Sequence, residues 1–123
     1  MKYFLVGVGG FLGAISRYMI GGLVGQATSA AFPLGTLLIN VSGSFLLGFV
    51  YEVGTERFVL SPEVRTFAAV GFLGAYTTFS TFSLETVRLI QDGSGLAAMA
   101  NVAANVGFGL IAVFAGVMLG KLV

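Results

Sequence analysis

The sequence lacks residues on which much soluble chemistry depends: it has no cysteine and no histidine, and only 9% of its 123 residues are charged. Without cysteine there are no disulfides and no thiolate chemistry, and without histidine the commonest metal ligand and the usual neutral-pH proton carrier are missing. Soluble domains carry about 25% charged residues, and the net charge of +1 includes no basic run that would bind nucleic acid. We therefore expect no enzyme, no nucleic-acid partner and no large soluble domain.

Hydrophobic residues make up 57% of the chain, which is typical of an integral membrane protein. A membrane-spanning helix needs about 20 apolar residues, so residues 1–123 can form a single domain of four such helices. The predicted spans are Tyr3–Val24, Pro33–Tyr51, Arg65–Leu89 and Leu96–Leu119. Polar turns are predicted between them at Gln26–Ser29, Gly54–Arg57 and Gln91–Gly95, and Ser61 before Pro62 is typical of a helix start. The predicted fold class is an all-α membrane protein.

The distribution of positive charge specifies the orientation of these helices poorly. With both termini on one side, that side carries Lys2, Arg57, Arg65 and Lys121, and the other carries Arg17 and Arg88. This is a weak bias under the rule that basic loops stay in the cytoplasm. Two interpretations stay open: a single orientation, or insertion both ways up, which would allow a dimer of oppositely oriented subunits. A cleaved N-terminal signal is disfavoured, because Arg17 interrupts the region where cleavage would occur.

The chain contains nineteen glycines, many of them within the apolar spans. In membranes, small residues let helices approach closely. Three pairs are four residues apart and so share a helix face: Gly9 with Gly13, Gly21 with Gly25, and Gly116 with Gly120. We expect close helix contacts there and assign these glycines no ligand.

Two polar stripes cross otherwise apolar spans. Thr36, Asn40 and Ser44 follow one another at steps of four in the second span, and Asn101 and Asn105 do so in the fourth. The two asparagine-bearing helices could therefore face each other. Buried asparagines hydrogen-bond across membrane helices even where nothing is transported, so both helix association and the lining of a pathway stay open as roles.

The third span contains six hydroxyl groups and two phenylalanines within residues 74–83. Hydroxyls at bilayer depth usually face protein, a bound ion or a wet cavity. Phe79 and Phe82 are three residues apart and share a face, where their electropositive ring edges could attract an anion weakly. On their own, two phenylalanines at this spacing are ordinary core or lipid-facing residues.

The middle of the third span has weak helix propensity. Glycine at Gly74 and β-branched threonine at Thr77 and Thr78 both disfavour a continuous helix. A break there would free backbone carbonyl oxygens, which are hard neutral ligands suited to a cation such as Na⁺. Alternatively, the threonine hydroxyls bond back to carbonyls four residues earlier in an unbroken helix.

The chain resembles the Fluc (CrcB) fluoride channels over essentially its whole length. The resemblance lies in residues 9–18 (GGFLGAISRY), 33–43 (PLGTLLINVSG) and 71–83 (GFLGAYTTFSTFS), of which the third segment is highly specific. It implies a multi-pass protein of the cytoplasmic membrane that exports fluoride passively and electrogenically and so protects against fluoride toxicity. It further implies an antiparallel, dual-topology homodimer with two pores, a third helix broken near its middle, and a structural Na⁺ on the two-fold axis.

The resemblance also implies roles for individual residues. Gly74 and Thr77 would bind Na⁺ through their backbone carbonyls. The expected fluoride pathway residues, with Thr36 included because it shares the stripe of Asn40, are Arg17, Thr36, Asn40, Phe79, Ser80, Thr81, Phe82, Glu85 and Asn105. Asn105 stands where many members have serine. Small, strongly hydrated fluoride would exchange its water for amide and hydroxyl donors, with phenyl edges assisting.

Three other functions compete with the fluoride channel for a small four-helix membrane protein. A proton-coupled exporter of the multidrug type would need a carboxylate deep in a helix, whereas the acidic residues of this chain lie at or near span ends. A non-transporting assembly protein would not explain the grouped hydroxyls around Phe79 and Phe82. Proton-coupled fluoride exchange could in principle use Glu85.

Overall fold

The computed structural model describes all residues, 1–123, and the chain is helical apart from the segments between its spans and residues 77–78 within the third span. Four helical spans are long and apolar enough to cross a membrane: Lys2–Ala27, Leu34–Glu56, Pro62–Gln91 and Gly95–Lys121. The prediction of an all-α protein with four membrane-spanning helices is confirmed. We call these the first to fourth spans.

The helices within these spans are numbered along the chain. Helix α1 is Lys2–Ala27, α2 is Leu34–Tyr51, and a π-helical turn Glu52–Glu56 completes the second span. The third span consists of α3 (Pro62–Arg65), a π-helical segment Thr66–Leu73, α4 (Gly74–Tyr76) and α5 (Phe79–Gln91). Helix α6, Gly95–Lys121, forms the fourth span.

Two helix ends follow from local sequence chemistry. The Ser61 hydroxyl accepts a hydrogen bond from the Val64 N–H at 3.3 Å, and Pro62 occupies the first helical position, as predicted. Gly93 has a φ of +79°, which an L side chain rarely adopts, and it turns the chain between α5 and α6. The third predicted turn is therefore confirmed.

The second predicted turn is misplaced. Helical hydrogen bonding continues through Glu56, and the chain leaves the helix only at Arg57. Gly54 is buried because the Arg65 side chain packs on it: a Cβ at Gly54 would lie 2.6 Å from the Arg65 Cδ. This glycine provides a contact between two spans and does not form a turn.

Close backbone contacts between glycines and neighbouring helices hold the bundle together. Helix α2 packs along α6, and α1 packs along the Thr66–Leu73 segment. A Cβ at Gly13 would lie 2.1 Å from the Phe72 carbonyl oxygen, and one at Gly116 would lie 2.0 Å from the Phe45 carbonyl oxygen. The pairs containing Gly13 and Gly116 thus make the close contacts that their spacing predicts. By contrast, nothing lies within 4 Å of a Cβ at Gly25.

Candidate ion pathway

The candidate pathway is built around two residues with extended backbone inside the third span. After α4 ends at Tyr76, Thr77 has ψ 156° and Thr78 has φ −148° and ψ 116°. The Thr78 hydroxyl accepts from the Thr81 N–H at 3.1 Å and thereby caps α5. The Thr77 hydroxyl donates to the Leu73 carbonyl, four residues earlier, at 3.0 Å. Thr77 therefore combines this hydrogen bond with an extended backbone, although the two were considered as alternatives.

The second span leaves room for these extended residues. A Cβ at Gly43 would lie 2.3 Å from the Thr77 Cγ2 and 3.1 Å from a ring carbon of Tyr76, so only glycine permits this approach. Beside it, the hydroxyls of Ser42 and Tyr76 are hydrogen-bonded at 3.0 Å. Neither contact was predicted, because the sequence gives no register between the two spans.

Asn40 pairs with the extended backbone through both ends of its amide. Its Oδ1 accepts from the Thr78 N–H at 2.9 Å, and its Nδ2 donates to the Thr78 carbonyl at 3.1 Å. The same Nδ2 donates to Asn105 Oδ1 at 3.0 Å. The two asparagine-bearing helices therefore face each other, and Asn40 joins the second, third and fourth spans at one point.

Phe79 and Phe82 stack obliquely beside these amides. Their ring centroids are 5.6 Å apart and the ring planes are inclined at 57°. Phe82 is buried, with 8% of its surface exposed, whereas Phe79 is 79% exposed within the single subunit. Both rings line a cavity of about 270 Å³ together with Asn40, Ser44, Thr78 and Asn105. We call this the aromatic cavity.

A larger cavity of about 800 Å³ contains the charged candidates and is called the vestibule. Its lining includes Arg17, Thr36, Thr81 and Glu85, together with Arg88, which was not predicted as a site residue. Thr78 lines both cavities and so marks where they adjoin. The structure thus divides the predicted pathway residues into an aromatic group and a polar group. Ser80 lines neither cavity.

Two cross-span hydrogen bonds fix the side chains of the vestibule. The Thr36 hydroxyl donates to Glu85 Oε1, joining the second and third spans. Arg17 Nε donates to the Ala75 carbonyl at 3.0 Å, joining the first span to the residues just before the extended segment. A hydrogen bond to a charged group contributes about 1.5–3 kcal/mol, so both contacts stabilise the vestibule wall.

The backbone carbonyls proposed as metal ligands have unusual hydrogen bonding. In a regular helix the Thr78 N–H would donate to the Gly74 carbonyl, but here it donates to Asn40. The Thr77 carbonyl oxygen accepts no backbone hydrogen bond. Such oxygens are hard neutral donors, so their chemistry fits Na⁺. The carbonyl of Ala75, between them, is already bound by Arg17.

Family comparison identifies the kind of protein that carries this arrangement. Residues 4–117 match the family described as CrcB-like protein, Camphor Resistance (CrcB). The chain belongs to the CrcB family. With four apolar spans, this CrcB member is a multi-pass protein of the cell membrane.

Individual relatives of this CrcB chain are similar along almost their whole length. A protein named Fluoride-specific ion channel FluC from Rhizobium meliloti (strain 1021) is 47% identical, covering 94% of this chain and 92% of the relative. Proteins with the same name from Desulforapulum autotrophicum and Nitratiruptor sp. are 40% and 46% identical and cover 99% and 96% of this chain. The match extends over 98% and 91% of those two relatives. These names describe channels and favour neither an enzyme nor a multidrug exporter.

Proposed function

We propose that this chain is the subunit of a fluoride-selective channel that lets fluoride leave the cell passively and electrogenically, protecting it against fluoride toxicity. The observation that carries the proposal is the aromatic cavity, where Asn40 and Asn105 meet Phe79 and Phe82. The names of the relatives support the same function. Amide N–H groups and electropositive phenyl edges attract an anion without holding it permanently, as conduction requires.

The proposed path has two stages. The vestibule, whose lining contains Arg17 and Arg88 as well as Glu85 and Asp92, would be the wide aqueous entrance, in which the two guanidinium groups offer local N–H donors to an anion. Thr78 lines both cavities and donates its hydroxyl to Thr81, whose own O–H in the vestibule could donate to a partly dehydrated anion. At the aromatic cavity, Asn40 and the edges of Phe79 and Phe82 would complete the replacement of water. Fluoride, being small, accepts short hydrogen bonds that chloride cannot match.

The working unit in this proposal is an antiparallel, dual-topology homodimer. Phe79 lines the aromatic cavity but is largely exposed in the single subunit. A second copy of the chain would cover this ring and close the cavity. The weak charge bias of the termini and turns is consistent with insertion in both orientations.

In such a dimer the interrupted third span would also hold a structural Na⁺. The carbonyls of Gly74 and Thr77, which lack their regular helical partners, would be its ligands in each subunit. The ion would supply fixed positive charge that lowers the energy of an anion nearby.

Fluoride efflux from liposomes that contain the purified protein tests the proposed function. A potassium ionophore prevents charge build-up, and ion-selective electrodes record fluoride and chloride. We expect rapid fluoride loss, negligible chloride loss, and a rate that does not depend on a proton gradient. No flux of either ion from folded protein would refute the channel, and flux that requires a proton gradient would indicate coupled exchange.

Substitution of the buried ring tests the aromatic cavity. Phe82→Ile removes the aromatic edge while keeping an apolar side chain, so we expect fluoride flux to fall at least about tenfold, the equivalent of roughly 1.4 kcal/mol. Gel filtration should show that the assembly is unchanged. Flux equal to that of the parent protein would remove this ring from the mechanism.

Removal of sodium tests the metal proposal. Purification with a large organic cation in place of Na⁺ should lower flux or dissociate the dimer, because such a cation cannot fit between backbone carbonyls. Gel filtration and flux are measured before and after Na⁺ is restored, with K⁺ as a matched control. Indifference to the exchange would argue against a structural cation at Gly74 and Thr77.

A further inference from the structure

All three asparagines of the chain belong to one hydrogen-bonded series that crosses the bundle. Asn40 donates to Asn105, and Asn105 Nδ2 donates to both the backbone carbonyl and the Oδ1 of Asn101, at 2.9 and 3.0 Å. Asn101 Nδ2 then donates to the Thr86 hydroxyl at 3.0 Å, which donates to the Phe82 carbonyl at 2.8 Å. The series therefore begins and ends at the backbone of the third span.

These backbone ends fix which way each amide points. The Thr78 N–H can only donate, so it requires the oxygen of Asn40 and turns the Asn40 nitrogen toward Asn105. At the far side the Asn101 carbonyl can only accept, so it requires the nitrogen of Asn105. Both constraints place Asn105 Oδ1 against Asn40 Nδ2. A flipped Asn105 amide would set oxygen against oxygen at Asn101.

This orientation determines which donors an anion can use. Asn40 Nδ2 has two N–H groups, one bound to the Thr78 carbonyl and one to Asn105 Oδ1. Both N–H groups of Asn105 are bound by Asn101. The N–H of Asn40 that is bound to the Thr78 carbonyl is part of the pairing between Asn40 and the Thr78 backbone. The N–H that points at Asn105 is thus the one an anion in the aromatic cavity could obtain, in competition with the Asn105 oxygen.

We propose that Asn101 is a positioning residue for anion recognition: it holds the Asn105 amide so that the Asn105 carbonyl oxygen accepts from the second N–H of Asn40, and fluoride binds by replacing that oxygen. This inference rests on the proposed function. Asn101 itself is 1% exposed and does not line the aromatic cavity, so it acts through Asn105. The replaceable oxygen keeps fluoride binding weak enough for the ion to leave.

The dependence of flux on fluoride concentration distinguishes positioning from a structural role. Asn101→Ala removes one of the two acceptors that hold the Asn105 amide in place. Asn105 Oδ1 then competes less strongly with fluoride for the N–H of Asn40. One neutral hydrogen bond contributes about 1 kcal/mol, so the half-saturating fluoride concentration should fall about fivefold. Structural damage alone would lower the maximal flux without tightening binding. Val102→Ala, at the neighbouring and 41% exposed position, is the matched control and should leave the half-saturating concentration unchanged.

Thr86→Val provides a second variant if Asn101→Ala does not fold. Valine matches threonine in shape but cannot accept from Asn101 Nδ2. We therefore expect the half-saturating fluoride concentration to fall again, but by less than in Asn101→Ala. If the parent protein conducts fluoride and neither variant lowers the half-saturating fluoride concentration, the inference about Asn101 is overturned and the proposed function stands. If the parent protein does not conduct, the proposed function fails and the inference fails with it.

Side-chain NMR gives a readout that does not depend on flux. Because the chain has only three asparagines, selective ¹⁵N-asparagine labelling reports every side-chain amide of the series. Asn101→Ala should shift the Asn40 side-chain resonance, although the two residues are joined only through Asn105. Fluoride added to the parent protein should shift the resonances of Asn40 and Asn105. An Asn40 resonance that responds to neither change would overturn the inference.

Discussion

Replacing Asn40 by leucine is expected to lower fluoride flux about 100-fold. Asn40 offers the cavity an N–H donor, and a hydrogen bond to a charged group contributes about 1.5–3 kcal/mol, roughly 10- to 150-fold in an equilibrium or rate. The substitution also leaves the Thr78 N–H and carbonyl without their side-chain partners. Liposome efflux measures the loss, and gel filtration establishes that the protein is still assembled.

Asn40→Asp separates the two roles of this side chain. A carboxylate still accepts from the Thr78 N–H, so the extended backbone keeps one partner, but it has no N–H to give to an anion. We expect at least the loss of flux seen with leucine, because the second carboxylate oxygen would face the Thr78 carbonyl and Asn105 Oδ1 and its negative charge would repel an anion. Leu38→Ala, on the same helix and 50% exposed, is the control and should conduct like the parent protein. Parent-like flux through Asn40→Asp would show that Asn40 supports the backbone without donating to the ion.

The parts of this arrangement that the sequence predicts are those governed by composition and helical periodicity. Steps of four residues placed Asn40 on one face of the second span and Asn105 on one face of the fourth, so that the two faces could meet, and the structure shows that they do. Close packing at Gly116 followed from its spacing with Gly120.

What the sequence does not predict depends on register between distant segments. Arg17 reaches the Ala75 carbonyl across 58 residues, and no local pattern indicates that contact. Gly54 illustrates the opposite error: a glycine among polar residues favoured a turn, but the helix continues through Gly54, and the Arg65 side chain packs against it. The direction in which hydrogen bonds are donated along the asparagine series likewise cannot be predicted from the sequence. It depends on the three-dimensional positions of the Thr78 N–H and the Asn101 carbonyl.

Gly116→Ala is expected to cause a large loss of stability although it adds only one methyl group. A Cβ at this position would lie 2.0 Å from the Phe45 carbonyl oxygen and 2.9 Å from the Phe49 backbone nitrogen. Overpacking costs about 1–3 kcal/mol when side chains can adjust, and more when, as here, the obstacle is backbone. Helices α2 and α6 would have to separate by about 1.5 Å to restore van der Waals distances, which also loosens the Asn40–Asn105 contact between them. Thermal unfolding in detergent should show a lowered midpoint, and flux should fall with it.

Gly109→Ala is the matched control for this prediction, since it adds the same methyl group to the same helix on the face that meets the second span. Its Cβ would lie 3.8 Å from the Ser44 Oγ, which is ordinary van der Waals contact. We expect its unfolding midpoint to match that of the parent protein or rise slightly, because alanine favours helix over glycine by about 1 kcal/mol. Equal midpoints for the two variants would mean that backbone contact at Gly116 does not limit how closely α2 and α6 pack. A selective loss at Gly116 would instead show that backbone contact between these helices sets the spacing at which the two asparagines meet.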